Sequence, residues 1–148
     1  MNLEKILKEF KQHKVKFVII GATAGVAHGY ARLTKDLDLF VEPVRKNVEK
    51  SLEALCACGY DLQGVTVDEA MQKKLLFRQY ILELDIHPHV TGISFKEVWD
   101  HRVEYRLAGQ DVYFASLDDL IVMKKAAGRE KDREDLRHLE EIRRQKRS

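Results

Sequence analysis

Apolar positions along the chain switch between helical and strand-like spacing. Leu3, Ile6, Leu7 and Phe10 recur at helical spacing behind Asn2, a capping residue type, and predict an N-terminal helix. Residues 16–20 (KFVII) are a short apolar run that predicts a buried strand ending at Gly21. Small residues follow as far as His28-Gly29, and 22–29 read as a short helix that Ala and Gly allow close to the sheet. A loop over 30–35 leads to a second strand, 36–42 (DLDLFVE), stopped by Pro43. Residues 45–58 place Val48, Leu52 and Leu55 on one helical face, whereas 60–74 carry no clear period. The run LLFRQYILELDIHPHV predicts one or two strands ending at Pro88, and 94–101 a short helix. Val103–Leu107 and Asp111–Phe114 flank Ala108-Gly109-Gln110 as a β-hairpin. Ser116 with Asp119 resembles a capping box opening a helix over 117–127. Gly128 breaks that helix, and 130–145 form a last one rich in i,i+4 charge pairs. Helices and strands alternate irregularly with a late hairpin. The expected fold class is therefore α+β, a mixed sheet with helices packed on it, rather than a doubly wound parallel sheet.

The chain's 148 residues fit one domain over 1–148, with a basic C-terminal tail at about 143–148 (Arg143, Arg144, Lys146, Arg147). Such a tail suits the negative pole of a helix end better than it announces a nucleic-acid site. A net charge of +2 sets up no global field that demands nucleic acid or membrane. No apolar run reaches the roughly 18–20 residues of a bilayer span, and the amphipathic, mixed-charge N-terminus does not read as a signal peptide. Cys56 and Cys58 are two apart, not a CxxC pair, and are expected to be buried or inert thiols in a reducing cytoplasm.

The chemistry concentrates in 21–39, GATAGVAHGYARLTKDLDL. Asp36 and Asp38 alternate with Leu37 and Leu39, so a strand puts both carboxylates on one face. Two like charges about 6–7 Å apart repel by roughly 2–3 kcal/mol at an effective dielectric near 20. A hard divalent cation relieves that conflict and keeps positions free for phosphate and water. Further on, Tyr80, Leu82, Leu84 and Ile86 form one strand face, and Ile81, Glu83, Asp85 and His87 the other. Asp85 can join the same cluster if its strand lies beside 36–42, either to position a second metal or to deprotonate an acceptor hydroxyl.

In order, Gly21, His28-Gly29, Arg32, Thr34 and Asp36-Leu37-Asp38 resemble the nucleotidyltransferase superfamily of polymerase-beta type, in its small single-domain members. The segment SLDDLIVMKKAAGREKDREDLRHL is similar to the same group at the matching end of the chain, so the likeness runs from about residue 15 to about residue 140. The resemblance implies that Asp36 and Asp38 are the metal-binding pair and Asp85 the third acid. It implies that Gly21 opens a helix whose free N–H groups face nucleotide phosphates, with Ala22 and Thr23 in the same turn. It also implies a triphosphate contact from Lys124 or Lys125, with Lys124 the better placed. Arg32 lies in the loop before the acids, which must border the site, so a phosphate or substrate contact is expected of it rather than a salt bridge to one of those acids. The implied cofactor is Mg²⁺ (or Mn²⁺), the substrate a nucleoside triphosphate such as ATP, and the reaction in-line attack of an acceptor hydroxyl on the α-phosphate. The acceptor could be a small molecule, a protein or an RNA end, and a partner protein or a second subunit (a homodimer) could complete its pocket.

One departure stands out. Many active members have Gly or Ser after the first glycine of the phosphate turn; here Ala22 follows, and Thr23 is the nearest hydroxyl. That departure favours the alternative, a nucleotide-binding module with little turnover, or one half of a toxin–antitoxin or defence pair. His28 suits a helix C-cap or packing role as well as a nucleotide contact. Asp85, His87 and His89 alternate, but His89 lies beyond Pro88 and no fourth ligand is evident, so they read as a strand-end histidine pair rather than a zinc site. Trp99 and Tyr105 read as packing residues.

Overall fold

The structure is a computed structural model and describes residues 2–29 and 35–147. The first helix, α1 (Leu3–Gln12), is capped as expected: the Lys5 N–H donates to Asn2 Oδ1 at 2.9 Å, and Ile6, Leu7 and Phe10 are buried. β1 (Phe17–Ile20) is buried throughout and runs straight into α2 (Gly21–Ala27). β2 (Asp36–Val41) is followed by α3 (Arg45–Ala57) and a short α4 (Val67–Gln72). The stretch without a clear period therefore holds a helix, too short to show an apolar face but capped by Thr66, whose hydroxyl accepts from the Glu69 N–H.

The long apolar run after α4 divides into β3 (Leu75–Phe77) and β4 (Glu83–His87). The expected alternation holds only from Glu83 onward; Ile81 lies in the connection and is 87% exposed. Next come α5 (Phe95–Asp100), β5 (Val103–Leu107), β6 (Gln110–Phe114), α6 (Leu117–Ala127) and α7 (Arg133–Arg147). The β5–β6 hairpin turns on Ala108 and Gly109, both at positive φ, as a two-residue turn matched to strand twist requires. A complete capping box opens α5, where Ser94 and Glu97 bond each other's backbone. At α6 only half of one forms: Ser116 accepts from the Asp119 N–H, and the Asp119 carboxylate turns to His101.

The expected last helix is entered through a 3-10 turn, Glu130–Asp132, and continues to Arg147. Residues 143–147 are helical, and Arg143 and Arg147 both reach Asp118 at 3.5 Å. One cysteine is buried as expected and the other is not. Cys58 is buried, and burial first, then the Glu9 charge, pushes its thiol up to about 11; Cys56 is exposed on α3.

Among the described residues, six strands form one mixed sheet, ordered β3-β4-β2-β1-β6-β5. β2 lies antiparallel to β1 and parallel to β4, and β6 lies parallel to β1. Helix α3 packs on both α1 and α4, while α2 packs on β1, β2 and α6, and α6 on α7. Phe10, Phe40, Phe114, Ile19 and Leu84 are among the largest fully buried side chains of the core. Asn47, buried in the first turn of α3, fastens β1 to β2. Its Oδ1 accepts from the Lys16 N–H at 2.7 Å, and its Nδ2 donates to the carbonyls of Lys16 and Glu42 at 3.0 Å. Trp99 is a packing residue, edge-on to Tyr113 with the Arg102 guanidinium over its ring. Among the described residues, no helix is long and apolar enough to cross a membrane.

Candidate active site

The parallel pairing of β2 with β4 fixes which acids meet. Asp36 lies opposite Glu83, Asp38 opposite Asp85, and Phe40 opposite His87. Leu37, Leu39, Leu84 and Ile86 are buried, so the alternate residues Asp36, Asp38, Glu83, Asp85 and His87 share the other face. Donor atoms of Asp38, Asp85 and His87 all lie within 4.8 Å of one another. His87 Nε2 is 2.8 Å from Asp38 Oδ1.

Asp36 is exposed and set one register step away. Its hydrogen bond with Glu83 is the main cause that pushes the Glu83 carboxyl above its usual range, with burial and the neighbouring negative charges adding to the effect. Arg78, from the β3–β4 connection, counters this acidity. Its Nη1 donates to Asp85 Oδ1 at 2.8 Å, and its Nε is 3.8 Å from Glu83 Oε2. The bond to Asp85 holds the guanidinium even more firmly in its charged form. Arg78 also lines a cavity of about 370 Å³ between residues 61–65 and β3.

Gly21 closes the site on the side of β1. It sits at φ +75°, and a Cβ there would lie 2.5 Å from Asp38 Oδ2. Both constraints call for glycine, because a left-handed residue bearing a side chain is strained by roughly 1–2 kcal/mol and this side chain would also displace the carboxylate. Gly21→Ala is therefore expected to lower Tm by about 5 °C and to weaken cation binding at Asp38. Thermal melts and calorimetric cation titration of the purified variant measure both effects.

The remaining residues singled out from the sequence fall in several places. Ala22 is half-buried in the first turn of α2. Thr23 is beside it, and its hydroxyl donates to the Asp36 carbonyl at 2.9 Å. Arg32 and Thr34 lie outside the described residues. Lys124 is away from the aspartates' hydrogen-bond network, its Nζ held by Asp132 at 3.0 Å and Asp135 at 3.3 Å. Lys125 is 3.9 Å from Glu140. His28 occupies the C-cap of α2, with Nε2 bonded to the Ala115 carbonyl at 2.8 Å. That bond requires the proton on Nε2. Burial outweighs it and lowers the imidazole's pKa, helped by Lys146. His89 Nε2 faces the Met71 carbonyl at 3.0 Å, so the three alternating residues 85, 87 and 89 do not converge.

Two participants were not singled out as site residues from the sequence. His87 had a signal, since it alternates with Asp85 on one strand face. Arg78 had none, because a loop brings it back to Asp85.

A comparison with curated proteins finds no match. A family model described as "Nucleotidyl transferase of unknown function (DUF2204)" matches residues 1–148. Its match spans both the aspartate-bearing strands and the C-terminal helices, and the chain belongs to this nucleotidyl transferase family.

Proposed function

We propose that the chain transfers a nucleoside monophosphate from a nucleoside triphosphate to an acceptor hydroxyl, with a divalent cation, Mg²⁺ or Mn²⁺, held at the Asp38–Asp85 cluster. The observation that carries this reading is the pairing of Asp38 with Asp85 across adjacent parallel strands, against a glycine that leaves no room for a Cβ. The donor chemistry fits such a cation: carboxylate oxygens on a half-buried face, with an imidazole nitrogen inside the same 4.8 Å group. A cation bound there supplies positive charge against the triphosphate and the departing pyrophosphate.

The residues of the chain divide the remaining work in this proposal. Asp36, Asp38 and Asp85 form the catalytic set. Asp38 and Asp85 hold the cation, and Asp36, at the edge of the cluster, completes the acidic rim toward the nucleotide. Asp85 is also the acid placed to accept the proton of the attacking hydroxyl, with Arg78 orienting it through Oδ1. Gly21, Ala22 and Thr23 offer the backbone of the α2 turn to phosphate, and Arg32 is assigned a phosphate or substrate contact from its place in the sequence just before the acids. Lys124 reaches a triphosphate only by leaving Asp132 and Asp135. The acceptor class stays open among a small molecule, a protein and an RNA end, and a partner or second subunit is proposed to complete its pocket.

One observation favours a second reading, nucleotide binding without turnover, alone or as half of a defence pair. The proton of the Thr23 hydroxyl is engaged with the Asp36 carbonyl, so this hydroxyl in the first turn of α2 has no donor left for a phosphate. Calorimetry with ATP, GTP, CTP and UTP, each with and without Mg²⁺, followed by transfer of labelled nucleotide to a metabolite, protein or RNA pool, separates the readings. Cation-dependent binding with transfer supports the enzyme. Binding with no transfer to any pool supports the module, and no binding of any nucleotide overturns both.

A further inference from the structure

The group that meets at the β2–β4 junction is two aspartates and a histidine, with the third aspartate set off toward Glu83. We propose that His87 Nε2 is a direct ligand of the divalent cation beside Asp38 and Asp85, and that it biases the site toward a transition-metal cation, Mn²⁺ over Mg²⁺. The inference rests on the transferase reading for the presence of a cation, and adds which residue completes its binding and which ion it takes.

Three observations carry it. First, β4 alternation places His87 on the same face as Asp85, two residues on, while the parallel register sets Asp38 on β2 directly opposite Asp85. Second, the spacing is that of ligands around one ion. Two donors bound about 2.1–2.2 Å from a cation in neighbouring positions stand about 3 Å apart. His87 Nε2 and Asp38 Oδ1 are already 2.8 Å apart. The widest separation allowed within the group, 4.8 Å, exceeds the roughly 4.3 Å between opposite ligands by an amount that side-chain rotation covers. Third, the imidazole is no surface group. The His87 side chain is 16% exposed and that of Asp38 20%, so the nitrogen is aimed into the cluster by a packed strand.

The ion preference follows from the donors. Mg²⁺ keeps oxygen ligands and several waters and gains little from imidazole, whereas imidazole suits transition metals and carboxylate suits Mn²⁺ as well as Mg²⁺. A mixed set of two carboxylates and one imidazole therefore favours Mn²⁺. The competing role for His87 is purely positional, a hydrogen bond that orients Asp38 with no bond to the ion.

Pulsed electron paramagnetic resonance of Mn²⁺ added to the purified full chain tests this, read alongside calorimetric Mn²⁺ and Mg²⁺ affinities for wild type and His87→Gln. Glutamine keeps an N–H for Asp38 and removes the imidazole, and circular dichroism checks the fold. The expected result is a directly bound nitrogen hyperfine coupling in the wild type that disappears in His87→Gln. Mn²⁺ affinity then falls by about tenfold or more, with Mg²⁺ affinity changed much less. Bound Mn²⁺ without nitrogen coupling, or equal Mn²⁺ affinity in the variant, overturns the ligand role and leaves the transferase reading standing. Failure of the folded wild type to bind either ion, alone or with a nucleotide, overturns that reading too.

Discussion

Asp38→Asn is expected to abolish the rise in melting temperature that a saturating divalent cation gives the wild type, and to lower nucleotide transfer by about 10²–10³-fold or more. The first effect follows from linkage. A cation at about one hundred times its Kd stabilises the fold by about 2.7 kcal/mol, which for a domain near this size raises Tm by about 5–10 °C. Asparagine preserves the shape of the side chain and an oxygen for the His87 contact, so the cation-free variant should melt close to the wild type. It loses the charge, and with it most of the reason a divalent ion enters a half-buried face lined by Asp85 and His87. Asp85→Asn should lose the same cation response while also releasing Arg78 from its partner at 2.8 Å. Melts of the three proteins with and without Mn²⁺ or Mg²⁺ decide the matter. An undiminished cation shift in Asp38→Asn sinks the assignment of the ion to this cluster.

The parts of the site legible in the sequence are those governed by local periodicity. Alternation along 36–41 and 83–87 put the aspartates on one face because a strand's side chains must alternate, and the buried leucines and isoleucine on the opposite face bear this out. Gly21 was marked by the end of an apolar run and by the resemblance, but its closest constraint was not visible. The 2.5 Å approach to Asp38 Oδ2 depends on the β1–β2 register, which sets Ile20 opposite Asp38 across a stretch of intervening chain. Register is settled by long-range pairing, so the sequence could say that Asp85 would meet Asp38 only if the strands were neighbours. Arg78 and Asn47 were silent for a related reason. Arg78 acts across the turn that separates it from Asp85, seven residues on, and Asn47 acts from a first helical turn on Lys16, 31 residues away; neither leaves a periodic trace. The short α4 stayed hidden because six residues cannot display a full apolar stripe.

Lys124→Met is expected to destabilise the cation-free fold by about 3 kcal/mol at neutral pH, a fall in Tm of roughly 6–12 °C. The lysine on α6 reaches across to the start of α7, where its ammonium sits between Asp132 and Asp135; its side chain is 18% exposed, and those of the two acids 5% and 10%. Methionine fills similar space but leaves Asp132 with Arg129 as its remaining cation and takes one positive partner from Asp135. Removing one partner of a buried pair costs more than the pair contributes, because desolvation of the remaining charge is no longer offset; the Arg129 contact keeps the loss at the lower end of the usual range. The pH dependence has a definite sign. Burial pushes the Asp132 carboxyl up, but hydrogen bonds and charge from Arg129 and Lys124 together hold it below the usual carboxylate range. The stability this contributes is fully present above the unfolded carboxylate pKa, about 3.9, and is lost as pH falls through the lower folded value. In the methionine variant one downward influence is gone while burial remains, so the acid loss begins at higher pH, and the gap in Tm between the proteins should narrow once Asp132 is protonated in both. Thermal melts from pH 7 down to about pH 3, with nucleotide affinity measured at pH 7, separate this role from the phosphate contact that the resemblance assigns. A variant that melts with the wild type yet loses nucleotide affinity would make Lys124 a triphosphate ligand; a variant that melts early and binds nucleotide normally makes it the fastener of α6 to α7.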